Sequence, residues 1–234
     1  MYMIKHWKEK GIHQVQYRID SVETEICEKQ VNINVKTLVS PPNGDWAIEC
    51  EYIYKIYGNG YIDLSIKGNP RGRLPESFPK IGLQMELPYE MSRVKWYGRG
   101  PGESYIDSNE ANLYGIYNST VDKLYTPYVY PQDNGNRTDV KWVSFTDERG
   151  MGFVVIAKDN LNFSAHYYTT EDIEKAKHRT DLCKRDFITL NIDYKHHGLG
   201  SNSCGPVPLA HHSLKPSSFG FNIAYKLCYE GEDF

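Results

Sequence analysis

Charge of one sign is scarce in this 234-residue chain: 27 basic residues meet 30 acidic ones, interspersed, for a formal net charge of -3. A nucleic-acid partner would want a basic excess or a basic stripe, and neither is there. Long apolar runs are missing too. None approaches the roughly 18 to 20 residues a membrane-spanning helix needs, and the opening MYMIKHWKEKGIHQ has no apolar signal-peptide core. The expectation is therefore a soluble protein without membrane association, made and kept in the cytoplasm, or a piece cut from a longer one. Cysteine is sparse, scattered and odd in number: Cys27, Cys50, Cys183, Cys204 and Cys228. No CxxC pairing suggests zinc, and a disulfide framework does not suit a chain this long. Gly-x-Ser-x-Gly, a phosphate loop and His-Glu-x-x-His are all absent.

What the chain has is aromatic residues and alternation. Aromatics make up 13% of it, with 19 tyrosines, and 40% is hydrophobic, enough for a real core. Period-two segments run through 31–38 (VNINVKTL) and 48–56 (IECEYIYKI), and Asn59-Gly60 separates the latter from 61–66 (YIDLSI), a hairpin signature. Further strands are expected at 80–87, 93–97, 140–146, 152–157, 162–168, 187–194 and 219–228. One short helix is expected over 170–178, capped by Thr170, with acids early and lysines late. Many short strands joined by turn residues predict an all-β antiparallel sandwich with long loops, read as one domain.

Three loops are richer than connections need. In 97–107 (YGRGPGESYID), three glycines surround a proline, and Glu103 and Asp107 follow. Paired carboxylates can act as acid and base on a glycoside, but in a glycine-rich loop this spacing suits turn and backbone partners better. Its GxG has no following helix and is not a dinucleotide site. The second loop, 125–137 (YTPYVYPQDNGNR), reads as an aromatic corner followed by a polar tip. The third, 195–206 (KHHGLGSNSCGP), joins two histidines to small residues. Adjacent histidines on a strand end point to opposite faces, so His196 and His197 do not easily ligate one metal, and a metal role for these two or for His211 and His212 is the lesser reading. Loops rich in Tyr, Asn, Gln and Asp suit sugars, whose hydroxyls they bond and whose C–H faces aromatics cover.

At these loops the sequence resembles the C-terminal sandwich domain of family 2 β-galactosidases, which in some bacteria is encoded as a separate small chain. The carrying segments are 96–107 (WYGRGPGESYID), 114–122 (YGIYNSTVD), 125–137, 140–146, 168–178 and 190–205 (LNIDYKHHGLGSNSCG), in the family's order. A Trp-x-x-x-Gly segment at Trp7–Gly11 and the hairpin at Asn59-Gly60 fit as well.

The resemblance implies a large antiparallel sandwich, the supersandwich of galactose mutarotases, packed on a TIM barrel or large chain that supplies two catalytic glutamates. It implies no catalytic residue, metal or cofactor in this chain; the family's Mg and Na sites lie outside the domain. It implies that galactosides meet pocket-rim loops at Pro131, Gln132, Asp133, Asn134, Gly135 and Arg137, and at Gly198, Gly200, Ser203 and Cys204. Two departures stand out. Cys204 aligns where many members present a tryptophan platform. The strand region that usually opens the domain, before Trp7, is also missing from the residues given, so a homo-oligomer or a dependence on that portion is expected. Two other readings stay open: a stand-alone sugar-binding or structural module, and a mutarotase-like enzyme using His178, His196 or His197 with a carboxylate base.

Overall fold

The structure, a computed structural model, describes residues 3–200 and 208–229. It is built mainly of antiparallel strands, as the alternation requires. In chain order these are β1 (Gln16–Ile26), β2 (Gln30–Ser40), β3 (Trp46–Tyr57), β4 (Ile62–Gly72), β5 (Lys80–Pro88), β6 (Arg93–Gly100), β7 (Leu113–Thr120), β8 (Arg137–Thr146), β9 (Met151–His166), β10 (Phe187–His196) and β11 (Phe219–Tyr229). Three short helices accompany them: α1 (Met3–Glu9), α2 (Val121–Leu124) and α3 (Thr170–Lys175). Backbone contacts divide the chain into two compact units.

The first unit comprises residues 3–80, 197–200 and 208–226. Its sheet runs β1-β2-β3-β4-β11. Asn59-Gly60 makes the expected hairpin: Gly60 sits at φ 80, its N–H donates to Tyr57 O at 3.0 Å, and Asn59 Oδ1 accepts from Tyr61 N at 3.1 Å. Register aligns rows of apolar residues on one face, such as Val22, Val35, Tyr52 and Ile66. Ile66, Leu64, Phe221 and Ile223 of β4 and β11 are buried. Toward β1 the same face becomes exposed. The Trp7 indole donates to Ser77 O at 3.0 Å and the Trp46 indole to Lys10 O at 2.8 Å, pinning the N-terminal segment.

The second unit comprises residues 81–196 and 227–229. Its strands are ordered β7-β6-β8-β9-β10-β5. Trp96, Phe145 and Phe163 are fully buried and meet edge-on, Trp96 to Phe163 at 5.8 Å and Phe145 to Phe163 at 6.2 Å between centroids. Val121 and Leu124 put α2 into the same interior.

Several element boundaries differ from expectation, each for a local reason. β1 has no clean alternation in sequence because a bulge between Ile19 and Ser21 shifts its phase. β7, broken by Gly115 and largely exposed, was not expected either. The stretches 152–157 and 162–168 are one strand, since the polar Lys158, Asp159 and Asn160 pass through exposed rather than turning. The expected helix ends at Lys175, not His178, and its cap is Thr169, not Thr170. Thr169 Oγ1 accepts from Asp172 N at 3.1 Å while Asp172 Oδ2 accepts from Thr169 N at 2.9 Å, a reciprocal capping box. α1 and α2 are two further helices that sequence reading lacked.

Candidate functional site

The candidate site is the loop that carries the chain from α2 into β8, and its polarity is the reverse of the sequence reading. The aromatic half is packed only in part: Tyr125 and Tyr128 are half-buried, with Tyr125 edge-on to His166 and Tyr168, but Val129 is 88% exposed and Tyr130 64% exposed. The polar half is mostly interior. Asn134, Asn136 and Arg137 are buried at 3% exposure or less, and Pro131 and Gly135 are buried with them. Of the residues expected to meet a ligand here, Gln132 and Asp133 alone are exposed.

Asn134 is the peg of this loop. Its Oδ1 accepts from Thr126 N at 2.9 Å and its Nδ2 donates to Gln132 O at 2.9 Å, so one amide closes the turn from both sides. Its own carbonyl accepts from His166 Nε2 at 2.9 Å. Gly135 follows at φ 75, and a Cβ there would lie 2.8 Å from Leu124 O and from the His166 ring. Both the conformation and the space call for glycine.

Glu103 acts on the same loop. Its Oε2 accepts from Gly135 N at 2.8 Å and its Oε1 from the Tyr128 hydroxyl. That hydrogen bond, with burial and the carboxylate charge behind it, pushes the Tyr128 pKa up to about 12. The sequence reading of Glu103 as a backbone partner describes what its carboxylate does.

Arg137 donates to Gly135 O at 2.7 Å and Asn136 O at 3.3 Å and lies 5.5 Å from the Trp96 ring. Burial lowers its pKa to about 10, against the opposing pull of the Glu103 charge. A cation held this way organises backbone from the interior of the loop. The exposed tip is anchored separately. His196 Nε2, on an imidazole only 8% exposed, donates to Asp133 Oδ2 at 3.2 Å, leaving the Asp133 side chain 50% exposed. Tyr105 packs edge-on against His196 at 5.2 Å between rings. Its hydroxyl is buried, and its pKa is raised by that burial first and by the Asp133 and Glu103 charges next.

The arrangement is thus a rigid, buried frame presenting a short polar tip, Gln132 and Asp133, beside an exposed tyrosine. Residues 1–225 match the profile of the beta galactosidase small chain family. The chain belongs to that family. It is 29% identical over 224 residues to the beta-galactosidase of Actinobacillus pleuropneumoniae, covering 96% of this chain and 22% of that one. With the beta-galactosidase of Kluyveromyces lactis it shares 31% over 225 residues, 94% of this chain and 21% of the relative. The chain thus spans about a fifth of the length of these relatives. Among solved structures, a galactose mutarotase related enzyme from Lactobacillus acidophilus aligns over 93% of this chain and 73% of its own, at 9% identity and a TM-score of 0.32.

The chain's other loops fall into place by unit. Residues 97–107 are clamped to β8: Arg99 Nε donates to Asp139 Oδ2 at 2.5 Å, and its Nη1 to the carbonyls of Asn109 and Asn112 at 3.1 Å each. Asp139 holds a positive φ of 56 at the irregularity between Arg137 and Val140. Gly198 and Gly200 belong to the first unit. Gly198 N donates to His212 O at 2.9 Å, and Gly200 adopts φ 62 with its missing Cβ 2.9 Å from the Pro208 ring. Ser203 and Cys204 lie outside the described residues. His197 is buried, donates from Nδ1 to Gly198 O at 2.8 Å, and meets Trp7 edge-on. Among the described residues no group of three His, Cys, Asp or Glu side chains could hold a metal ion. Sequence reasoning missed Tyr130 as an exposed ring, the Glu103 hold on Gly135 and the His196 hold on Asp133. The last two join residues 32 and 63 positions apart, which no local pattern encodes.

Proposed function

We propose that this chain serves as the small-chain portion of a β-galactosidase of glycoside hydrolase family 2. In this reading it lends a loop to the rim of the galactoside pocket, while a TIM barrel elsewhere supplies the two glutamates of a retaining mechanism. Any Mg or Na sites also belong to that other portion. The observation that supports the site is the exposed Gln132–Asp133 tip, held by His196 and by the buried Asn134 and Arg137 frame. A carboxylate fixed in direction accepts sugar hydroxyls without first being ordered, which is where preorganised sites gain affinity. Asn134, Gly135 and Arg137 act as the frame, and Tyr130 offers a ring face beside the tip.

The test is a chimera in which this chain replaces the matching region of the Actinobacillus pleuropneumoniae enzyme, assayed on an aryl β-galactoside. Asp133→Asn and Gln132→Ala should raise KM several-fold, and the isolated chain should show no turnover. An unchanged KM in both variants removes the rim assignment. Turnover by the isolated chain that Glu103→Gln abolishes removes the separate barrel.

A further inference from the structure

Among the described residues β1 is the end strand of the first unit's sheet and pairs with β2 alone. Edge strands are usually blunted by charge, proline or a bulge that twists them away from partners. β1 carries a bulge, but one with a different consequence. Ile19 and Val22 are an odd number of residues apart, which in a regular strand places them on opposite faces. With Asp20 as the extra residue, Ile19 opposes Thr37 and Val22 opposes Val35, so both join the apolar face shared by Tyr17, Thr24 and Ile26. On that face Tyr17 is 70%, Ile19 65%, Val22 58% and Ile26 82% exposed. The bulge keeps an apolar face in phase and leaves it in water.

We propose that β1 pairs antiparallel with β1 of a second copy of this chain, on a twofold axis through Val22. The charges and the bulge permit this register and one other, an axis at Ser21 that would oppose Arg18 to Glu23 and Val22 to Ile19, and cysteine scanning separates the two. Val22 opposes its own symmetry mate, and Ser21 opposes Glu23. Thr24 opposes Ile19 with Asp20 bulged, Glu25 opposes Arg18, and Ile26 opposes Tyr17. Each dimer then gains two Arg18–Glu25 ion pairs on the polar face. On the apolar face it gains two Tyr17–Ile26 contacts around a Val22–Val22 centre, pairs of the kind that stabilise sheets. Shifting the axis to Glu23 or Thr24 sets like charges opposite each other, Glu23 on Glu23 or Glu23 on Glu25. Arg18 is available for the pairing: its present partner, Asp20 at 2.7 Å, sits with it in solvent, where an ion pair holds weakly.

The axis is read by cysteine scanning in a Cys27→Ser, Cys183→Ser background, with that background as control. Oxidation of the Val22→Cys variant should yield covalent dimer, because directly opposed Cβ atoms fall near disulfide reach. Ser21→Cys should not. In sedimentation equilibrium the full chain should dimerise, Arg18→Glu should weaken the dimer about tenfold or more, and the Arg18→Glu, Glu25→Arg double variant should restore it. A monomer at tens of micromolar, equal cross-linking at positions 21 and 22, or a dimer indifferent to Arg18→Glu would each overturn the proposal. So would β1 amides that gain exchange protection only when a different polypeptide is added. Val22 is exposed, so its substitution leaves folding intact, and far-ultraviolet circular dichroism of each variant checks this.

Discussion

Asn134 offers a test in which geometry dictates both sign and pH dependence. Its side chain is 1% exposed and uses both ends, Oδ1 accepting from Thr126 and Nδ2 donating to Gln132, each at 2.9 Å. Asn134→Ala strands the Thr126 N–H, while the Gln132 carbonyl, on an exposed residue, regains water. The expected cost is about 2 kcal/mol, that of one buried group left unmet, and it should not vary with pH.

Asn134→Asp keeps the shape and changes one partner. The oxygen facing Thr126 still accepts, but the other meets the Gln132 carbonyl, acceptor against acceptor, in a buried setting. Ionisation there is opposed by burial and by the facing dipole. The folded pKa therefore lies above the unfolded value of about 3.9. A group raised in this way keeps its stabilising contribution below its unfolded pKa and loses it as pH climbs through the folded one. An uncompensated buried charge costs about 4 kcal/mol, which places the folded pKa at about 7.

The variant should thus match the parent near about pH 4, where the protonated acid donates as the amide did, and fall behind by about 1.4 kcal/mol per pH unit above it. Urea unfolding of parent and both variants at a series of pH values reads this directly. An Asn134→Asp variant within about 0.5 kcal/mol of the parent at about pH 7, or a deficit flat with pH, would refute the reasoning, since one oxygen would then not face a carbonyl.

Two further outcomes follow from the same coordinates. Gly82 sits against β10, where a Cβ would fall 2.1 Å from Asp193 Oδ1 and 2.5 Å from Ile192 O. Gly82→Ala must push β5 and β10 apart and should cost about 2–3 kcal/mol in urea unfolding, whereas an unchanged midpoint would mean the strands are not in contact there. Asp172 is held well below the usual carboxylate range, first by the Arg185 side chain, bonded at 2.9 and 2.7 Å, and then by the Thr169 amide and hydroxyl. A depressed carboxyl contributes above its unfolded pKa and loses that contribution as pH falls through the folded one. Asp172→Ala should accordingly cost about 1–2 kcal/mol at neutral pH, with the gap from the parent closing as both are acidified below about pH 4. A gap that stays constant in acid would show that the charge is not what the cap uses.

How far the sequence reaches depends on which residues must know about each other. Alternation in β2, β3 and β8 is written within a few positions, and Asn59-Gly60 carries its own turn chemistry, so those elements are legible. β1 is not, because its phase changes at a bulge that only its partner β2 defines. The candidate loop fails for the same reason, more instructively. A run of amides and an acid reads as a solvated tip, and prolines among tyrosines read as a buried corner. The opposite is built, because Asn134, Gly135 and Arg137 have partners supplied by Glu103, His166 and Trp96, all distant in sequence. Once polar groups are matched they can be buried, while Tyr125 and Tyr128 are half-buried against their own partners and Val129 and Tyr130 are left outside. Polar composition singled out this loop from the sequence. Only the pairing tells which of its polar residues stay in solvent, and it leaves Gln132 and Asp133.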